Sequence, residues 1–167
     1  DGKALFVKMF QDSVYPDSSY TNTQDSYINS GDPTYNYGTC DIGVVYSQTS
    51  TVNARFLIRF AGLDNFIPIN STVTNAHLVI YGFNWVTYTA SNIQAYELTK
   101  NWTEGTQCGN DLDVVSWLKY NSSNSWTTPG GDYNTIPVSD DVKINTFPSY
   151  YTLNLNINTV SNWIKSP

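Results

Sequence analysis

Ala54-Arg55-Phe56-Leu57-Ile58-Arg59-Phe60 alternates with a period of two. Ala54, Phe56, Ile58 and Phe60 fall on one face, and Arg55, Leu57 and Arg59 on the other, as side chains do along a β-strand. The same period recurs further along. In Ala76-His77-Leu78-Val79-Ile80-Tyr81, the residues Ala76, Leu78 and Ile80 share a face opposite His77, Val79 and Tyr81. Ile93-Gln94-Ala95-Tyr96-Glu97-Leu98 alternates less cleanly. Tyr151-Thr152-Leu153-Asn154-Leu155-Asn156-Ile157 alternates strictly, which points Tyr151, Leu153, Leu155 and Ile157 inward. Clusters of Gly, Pro, Asn, Asp and Ser separate these stretches. Many short strands without helical patterns between them predict an all-β sandwich of two antiparallel sheets, with one or two short helical turns.

Helix is expected only near the end, in Asn158-Thr159-Val160-Ser161-Asn162-Trp163-Ile164. Asn158 or Thr159 would cap it, and Val160, Trp163 and Ile164 would face the core. Residues 111–120 fit either a helical turn or an irregular strand through Val114, Val115, Trp117 and Leu118.

At 167 residues the chain is long enough for one sizeable core. Tyr, Asn, Thr and Ser stand where Lys and Glu dominate most cytosolic surfaces, a β-rich and extracellular-looking composition. The net charge of -6 and scattered cations argue against nucleic acid and against an electrostatic grip on anionic lipid. No apolar run has the length of a membrane span. The first residue is Asp1 and no signal peptide is visible, as in a processed secreted chain or a trimmed one. Sequons begin at Asn70, Asn101 and Asn121. Cys40 and Cys108 are too few for a four-ligand metal site; they read as a long-range disulfide or as two separate buried thiols.

Catalytic signatures are missing. His77 is the single histidine and sits in a strand, and no nucleophile, zinc or phosphate motif accompanies it. The acids have no evident reason to face one another across a cleft. Aromatic rings stacking on sugar C–H faces offer a better reading. Trp85, Tyr88 and Tyr81, near a strand end, are the exposed candidates; Trp102 and Trp126 read as core, and Trp163 as the helix anchor. Arg55 and Arg59 share a strand face and suit either a clamp on a sugar carboxylate or contacts within the sheet. Asp111, Asp113, Asp132, Asp140 and Asp141 are candidate oxygen ligands for structural calcium, and no other cofactor is expected.

One ordered set of segments carries a resemblance. It runs Tyr35-Asn36-Tyr37-Gly38-Thr39, Arg55 to Phe60, Ser71 to Tyr81, Asn101-Trp102-Thr103-Glu104-Gly105, then Trp126-Thr127-Thr128-Pro129-Gly130-Gly131-Asp132-Tyr133. In this order the segments resemble the DNRLRE domains, a carbohydrate-binding family related to the disaggregatase modules. The resemblance covers roughly residues 25–163. It implies a jelly-roll sandwich that is non-catalytic, extracellular or cell-surface, and adhesive toward polysaccharide or cell-surface glycan. It also implies that residues 25–167 lack the family's closing strands. Residues 1–24 precede the resemblance as a strand plus a polar linker (residues 17–24). Leu5, Phe6, Val7, Lys8, Met9 and Phe10 are apolar on both faces and so expected to be buried. They would either fold back into their own chain or donate a strand to a neighbour, building a filament.

Overall fold

The computed structural model describes residues 5–48, 52–83, 91–111 and 114–165. The chain is all-β, antiparallel in each ladder whose register is described, with one short helix among the described residues, the class the alternation predicts. In chain order the strands are β1 (Thr23–Asn29), β2 (Tyr35–Asn36), β3 (Tyr46–Gln48), β4 (Val52–Phe60), β5 (His77–Gly82), β6 (Ser91–Ile93) and β7 (Tyr96–Leu98). There follow β8 (Asn110–Asp111), β9 (Lys119–Asn121), β10 (Asn124–Ser125), β11 (Tyr133–Pro137), β12 (Val142–Ile144), β13 (Ser149–Asn154) and the helix α1 (Ile157–Lys165). A 3-10 turn, Leu63–Asn65, follows β4. The strands group into two compact units: residues 1–66 with 98–132, and residues 67–97 with 133–167.

Unit 1 is built on the sheet β1-β4-β3, with β4 in the middle. The predicted two faces of β4 are both used. Ile28 and Ser26 of β1 stand opposite Arg55 and Leu57, and all but Arg55 of these four are buried. Leu57 and Ile28 join Trp102, Val115 and Trp126 in one core cluster. The arginine-bearing face is therefore the one that meets the tryptophans, because Leu57 between the two arginines is the apolar anchor. Residues 114–118 are neither helix nor strand, and Val115 reaches the core from an irregular turn.

The segment around residues 5–24 departs from expectation. Residues 5–10 form no strand, and Leu5 and Val7 are 85% and 84% exposed. No described strand of their own chain pairs with them, so the expectation that they are buried by folding back is wrong. Phe10 alone is drawn in, edge-on to Tyr20 and Phe66 at 5.4 and 5.9 Å. The polar stretch read as a linker holds Tyr20, which is fully buried. Its ring is the reason this piece packs onto unit 1 rather than hanging free.

Unit 2 is made of two-stranded ladders: β5 with β13, β6 with β12, and β7 with β11. On β13 Tyr151 and Leu153 point inward as predicted, while Leu155 is half-buried and Ile157 is exposed, because the strand ends at Asn154 and the helix begins. The cap of α1 is Asn156 rather than Asn158 or Thr159. Its Oδ1 accepts the N–H groups of Asn158 at 3.0 Å and Thr159 at 3.2 Å. Ile164 is buried, and Trp163 donates its Nε1–H to Glu97 at 2.6 Å. No helix among the described residues is long and apolar enough to cross a membrane.

Candidate functional site

The segments that carried the resemblance form a framework inside unit 1. Asn36 is fully buried and its side chain makes four hydrogen bonds. Its Nδ2 donates to the carbonyls of Glu104 (2.6 Å) and Val115 (3.0 Å), and its Oδ1 accepts from Gly38 (3.3 Å) and Gln107 (3.2 Å). Such a group is stable inside a protein only when every polar atom is paired. Gly105 has φ +87°, and a Cβ there would lie 2.4 Å from Asn36 Oδ1, so glycine is required by backbone conformation and by space. Beside this hub the disulfide Cys40–Cys108 is formed. It staples the short ladder of β2 with β8, extended by Thr39 donating to Gln107 at 3.0 Å.

Trp102 and Trp126 are core residues, as expected. Trp126 donates its Nε1–H to the Ser116 carbonyl at 2.9 Å. Arg55 lies over the Trp117 ring at 5.3 Å and donates to the Gly130 carbonyl at 2.6 Å. Arg59 lies over Trp102 at 5.3 Å and donates to Gln24 and Asn101. Both guanidinium groups thus hold unit 1 together by cation–π and amide contacts. Burial pushes the Arg59 pKa down, partly offset by the nearby Glu104. Glu104 accepts the Asp25 N–H at 2.8 Å. Burial raises the carboxyl pKa of both acids, and Asp12 adds to it.

The exposed aromatic surface lies elsewhere, on the ladder of β5 and β13 in unit 2. Its register sets Tyr81 against Tyr150, Val79 against Thr152, and His77 against Asn154. All six side chains face solvent. Tyr150 is 73% exposed, Val79 56% and Tyr81 53%. The Tyr81 and Tyr150 rings are 4.9 Å apart and tilted by 55°. From this aromatic end to the polar end at His77 and Asn154 is four residues, about 13 Å along the strands. The opposite face of β13 is fixed by packing: Tyr151 is buried, donates to the Thr146 carbonyl and accepts the Thr146 N–H at 2.9 Å. Asn154 is held by Asp140, whose carboxylate accepts its backbone N–H at 2.8 Å and its side-chain amide at 2.5 Å. The result is an aromatic shelf on a braced ribbon.

Of the sequence candidates, Tyr81 is on this shelf. Trp85 and Tyr88 lie outside the described residues. Tyr150 was missed: it occupies the strand whose alternation was read for its inward side, and only the register shows that its outward side meets Tyr81. A second exposed pair, Tyr96 with Tyr133 at 5.4 Å, stands on β7 and β11, with the Tyr96 hydroxyl donating to Gln94 at 3.0 Å. No three metal-binding side chains gather among the described residues. Asp132 accepts the N–H groups of Thr127 (2.8 Å) and Thr128 (2.9 Å), bonds that lower its pKa, and Asp141 accepts from Asn92 at 2.8 Å. Asp113 and the Asp111 side chain lie outside the described residues. At the sequons, Asn70 sits exposed in a turn. Asn101 accepts from Arg59, and Asn121 accepts from Ser123 and Asn124 at 3.0 and 2.9 Å.

Compared with known families, residues 16–162 match the model of Carbohydrate-binding module family 96, and the chain belongs to that family. The carbohydrate-binding class agrees with the resemblance read from the sequence; the matched family is number 96 rather than one named DNRLRE. The chain matches no curated protein and no solved structure.

Proposed function

We propose that this carbohydrate-binding module holds a polysaccharide on the outward face of β5 and β13 and catalyses no reaction. The observation that carries this is the Tyr81–Tyr150 pair, two largely exposed rings 4.9 Å apart on a braced ribbon. Sugar C–H faces stack on such rings, and Thr152, His77 and Asn154 offer hydroxyl partners further along the same face. Trp85 and Tyr88, which follow β5 in the chain, are proposed to extend the contact. Arg55 and Arg59 serve unit 1, since their guanidinium groups are engaged there. The disulfide and the polar surface composition favour an extracellular or cell-surface adhesive role, with a glycan on Asn70 as the best-presented sequon.

Retention on a panel of neutral and anionic polysaccharides, followed by titration calorimetry on any hit, tests this. Tyr81→Ala and Tyr150→Ala should each weaken binding about tenfold, about 1.4 kcal/mol, with Tm unchanged because both rings face solvent. Tyr96→Ala should leave affinity intact. A panel with no retained polysaccharide would defeat the reading, and loss through Tyr96→Ala alone would move the site to β7 and β11.

A second reading is favoured by one observation, the solvent-facing apolar segment of residues 5–9. It makes the chain a subunit of an extracellular filament that grows by strand donation. Light scattering and micrographs of the full chain, with and without residues 1–9, test it.

A further inference from the structure

Three rows cross the outward face of β5 and β13, one for each opposed pair. Tyr81 with Tyr150 is the aromatic row, Val79 with Thr152 a mixed row, and His77 with Asn154 a polar row. They share a face because every second side chain of a strand does. The outer rows stand about 13 Å apart along the strands, the reach of about three linked sugar rings.

The polar row is wider than its two strands. Beside Asn154 lies the segment of residues 138–140. Asp140 donates its N–H to the Asn154 carbonyl at 3.1 Å, Asn156 donates to the Val138 carbonyl at 2.7 Å, and Ser139 bridges Leu155. On the other side Leu155 donates to the Ala76 carbonyl at 2.9 Å. Asp140 is exposed, and its carboxylate meets the outward amide of Asn154 at 2.5 Å. The row therefore runs His77, Asn154, Asp140. Two of the roughly four acceptor positions of a carboxylate are taken by Asn154. The same bonds pin Asn154, so the pair is ordered before any sugar arrives. Two oxygen acceptors held side by side suit two neighbouring hydroxyls of one sugar ring, and a carboxylate makes the stronger kind of hydrogen bond. At the aromatic row the rings are 4.9 Å apart and tilted by 55°, so they share no plane for a flat crystalline surface. They suit one ring of a solvated chain.

We propose that a single polysaccharide chain lies along β5 and β13, with one sugar stacked at Tyr81 and Tyr150 and the next over Val79 and Thr152. The third sugar donates a vicinal pair of hydroxyls to Asp140 and Asn154, with His77 beside it. The ligand class is thus a solvated chain whose sugars carry free neighbouring hydroxyls, and Asp140 is a binding residue. The inference rests on the shelf reading and adds to it the direction of the chain and the group that reads its far end.

A disaccharide and a tetrasaccharide cut from the polysaccharide retained in the panel test this by calorimetry. The tetrasaccharide should bind about tenfold more tightly than the disaccharide, because only it reaches a charged acceptor, and it should displace the parent polymer completely. Asp140→Asn keeps an acceptor for the Asn154 N–H and removes the charge; it should abolish most of the gain with length. His77→Ala alters an exposed side chain of the same row and should reduce that gain even if Asp140→Asn fails to fold. Tyr150→Ala should weaken both sugars alike. A tetrasaccharide bound no more tightly than the disaccharide, or a gain that survives in the folded variants, overturns the chain direction and the role of Asp140. The shelf itself then still stands if Tyr150→Ala weakens binding. No retained polysaccharide, or binding indifferent to Tyr150→Ala, overturns both.

Discussion

Unit 1 turns its tryptophans inward, and unit 2 displays a close pair of tyrosines. Trp102 and Trp126 are buried beside Leu57, with Arg55 and Arg59 lying across Trp117 and Trp102. Tyr81 and Tyr150 stand on a two-stranded ribbon facing solvent. The difference separates two kinds of sequence signal. Trp-Thr-Glu-Gly at residues 102–105 and Trp-Thr-Thr-Pro-Gly-Gly-Asp at residues 126–132 stand out in the chain because a packed framework demands particular residues at particular places. A binding shelf makes no such demand beyond a ring on each of two paired strands.

Breaking the unit 1 framework should produce the largest effects. Replacing Cys40 and Cys108 together by Ser opens a link spanning 68 residues of sequence. The chain-entropy account puts the loss at about 4 kcal/mol, measurable as a lower midpoint in urea. Asn36→Leu strands two carbonyls and two N–H groups in the interior. It should cost about 3 kcal/mol by the same measurement, without altering the Tyr81–Tyr150 face. If glycan affinity of the folded Asn36→Leu protein fell as far as that of Tyr150→Ala, the separation of framework from shelf would be wrong. The shelf variants give the reverse pattern, about tenfold weaker binding at constant Tm.

The smallest effect sharpens the picture of unit 1 electrostatics. Asp25 and Glu104 both have raised pKa values, first through burial. In the carboxylate range the folded chain keeps protons that the unfolded chain has lost. Their contribution to stability is complete below the unfolded values and is lost as pH rises through the folded ones. Asp132 acts in the opposite sense: its pKa is lowered by the Thr127 N–H, so its contribution is lost on acidification. Glu104→Gln keeps an acceptor for the Asp25 N–H and removes one of the raised groups. It should lift Tm slightly at neutral pH and flatten the dependence of Tm on pH across the carboxylate range. An unchanged pH profile would show that Glu104 ionises freely in the folded state.

Much of the fold was legible because burial imposes a period. The alternation in β4, β5 and β13 was readable residue by residue, as was the core role of Trp102 and Trp126, while Cys40 and Cys108 read as either a disulfide or two separate thiols. Legibility failed where pairing decided the outcome. Leu5, Val7 and Met9 read as buried because they are apolar, yet no described strand of their own chain receives them. Tyr20 read as part of a linker because its neighbours are polar, yet Phe10 and Phe66 enclose it. Tyr150 was passed over since a single strand does not show which outward residue another strand will set beside it.

The sequence by itself determined an all-β chain, the faces of its longer strands and a resemblance to glycan-binding modules. These follow from periodicity and residue chemistry, which are local. Tertiary structure alone decided that the arginines serve tryptophans and that Tyr81 meets Tyr150. Those are relations between segments distant in the chain, and strand register, which creates them, is fixed by the packing of the whole sheet rather than by any one segment.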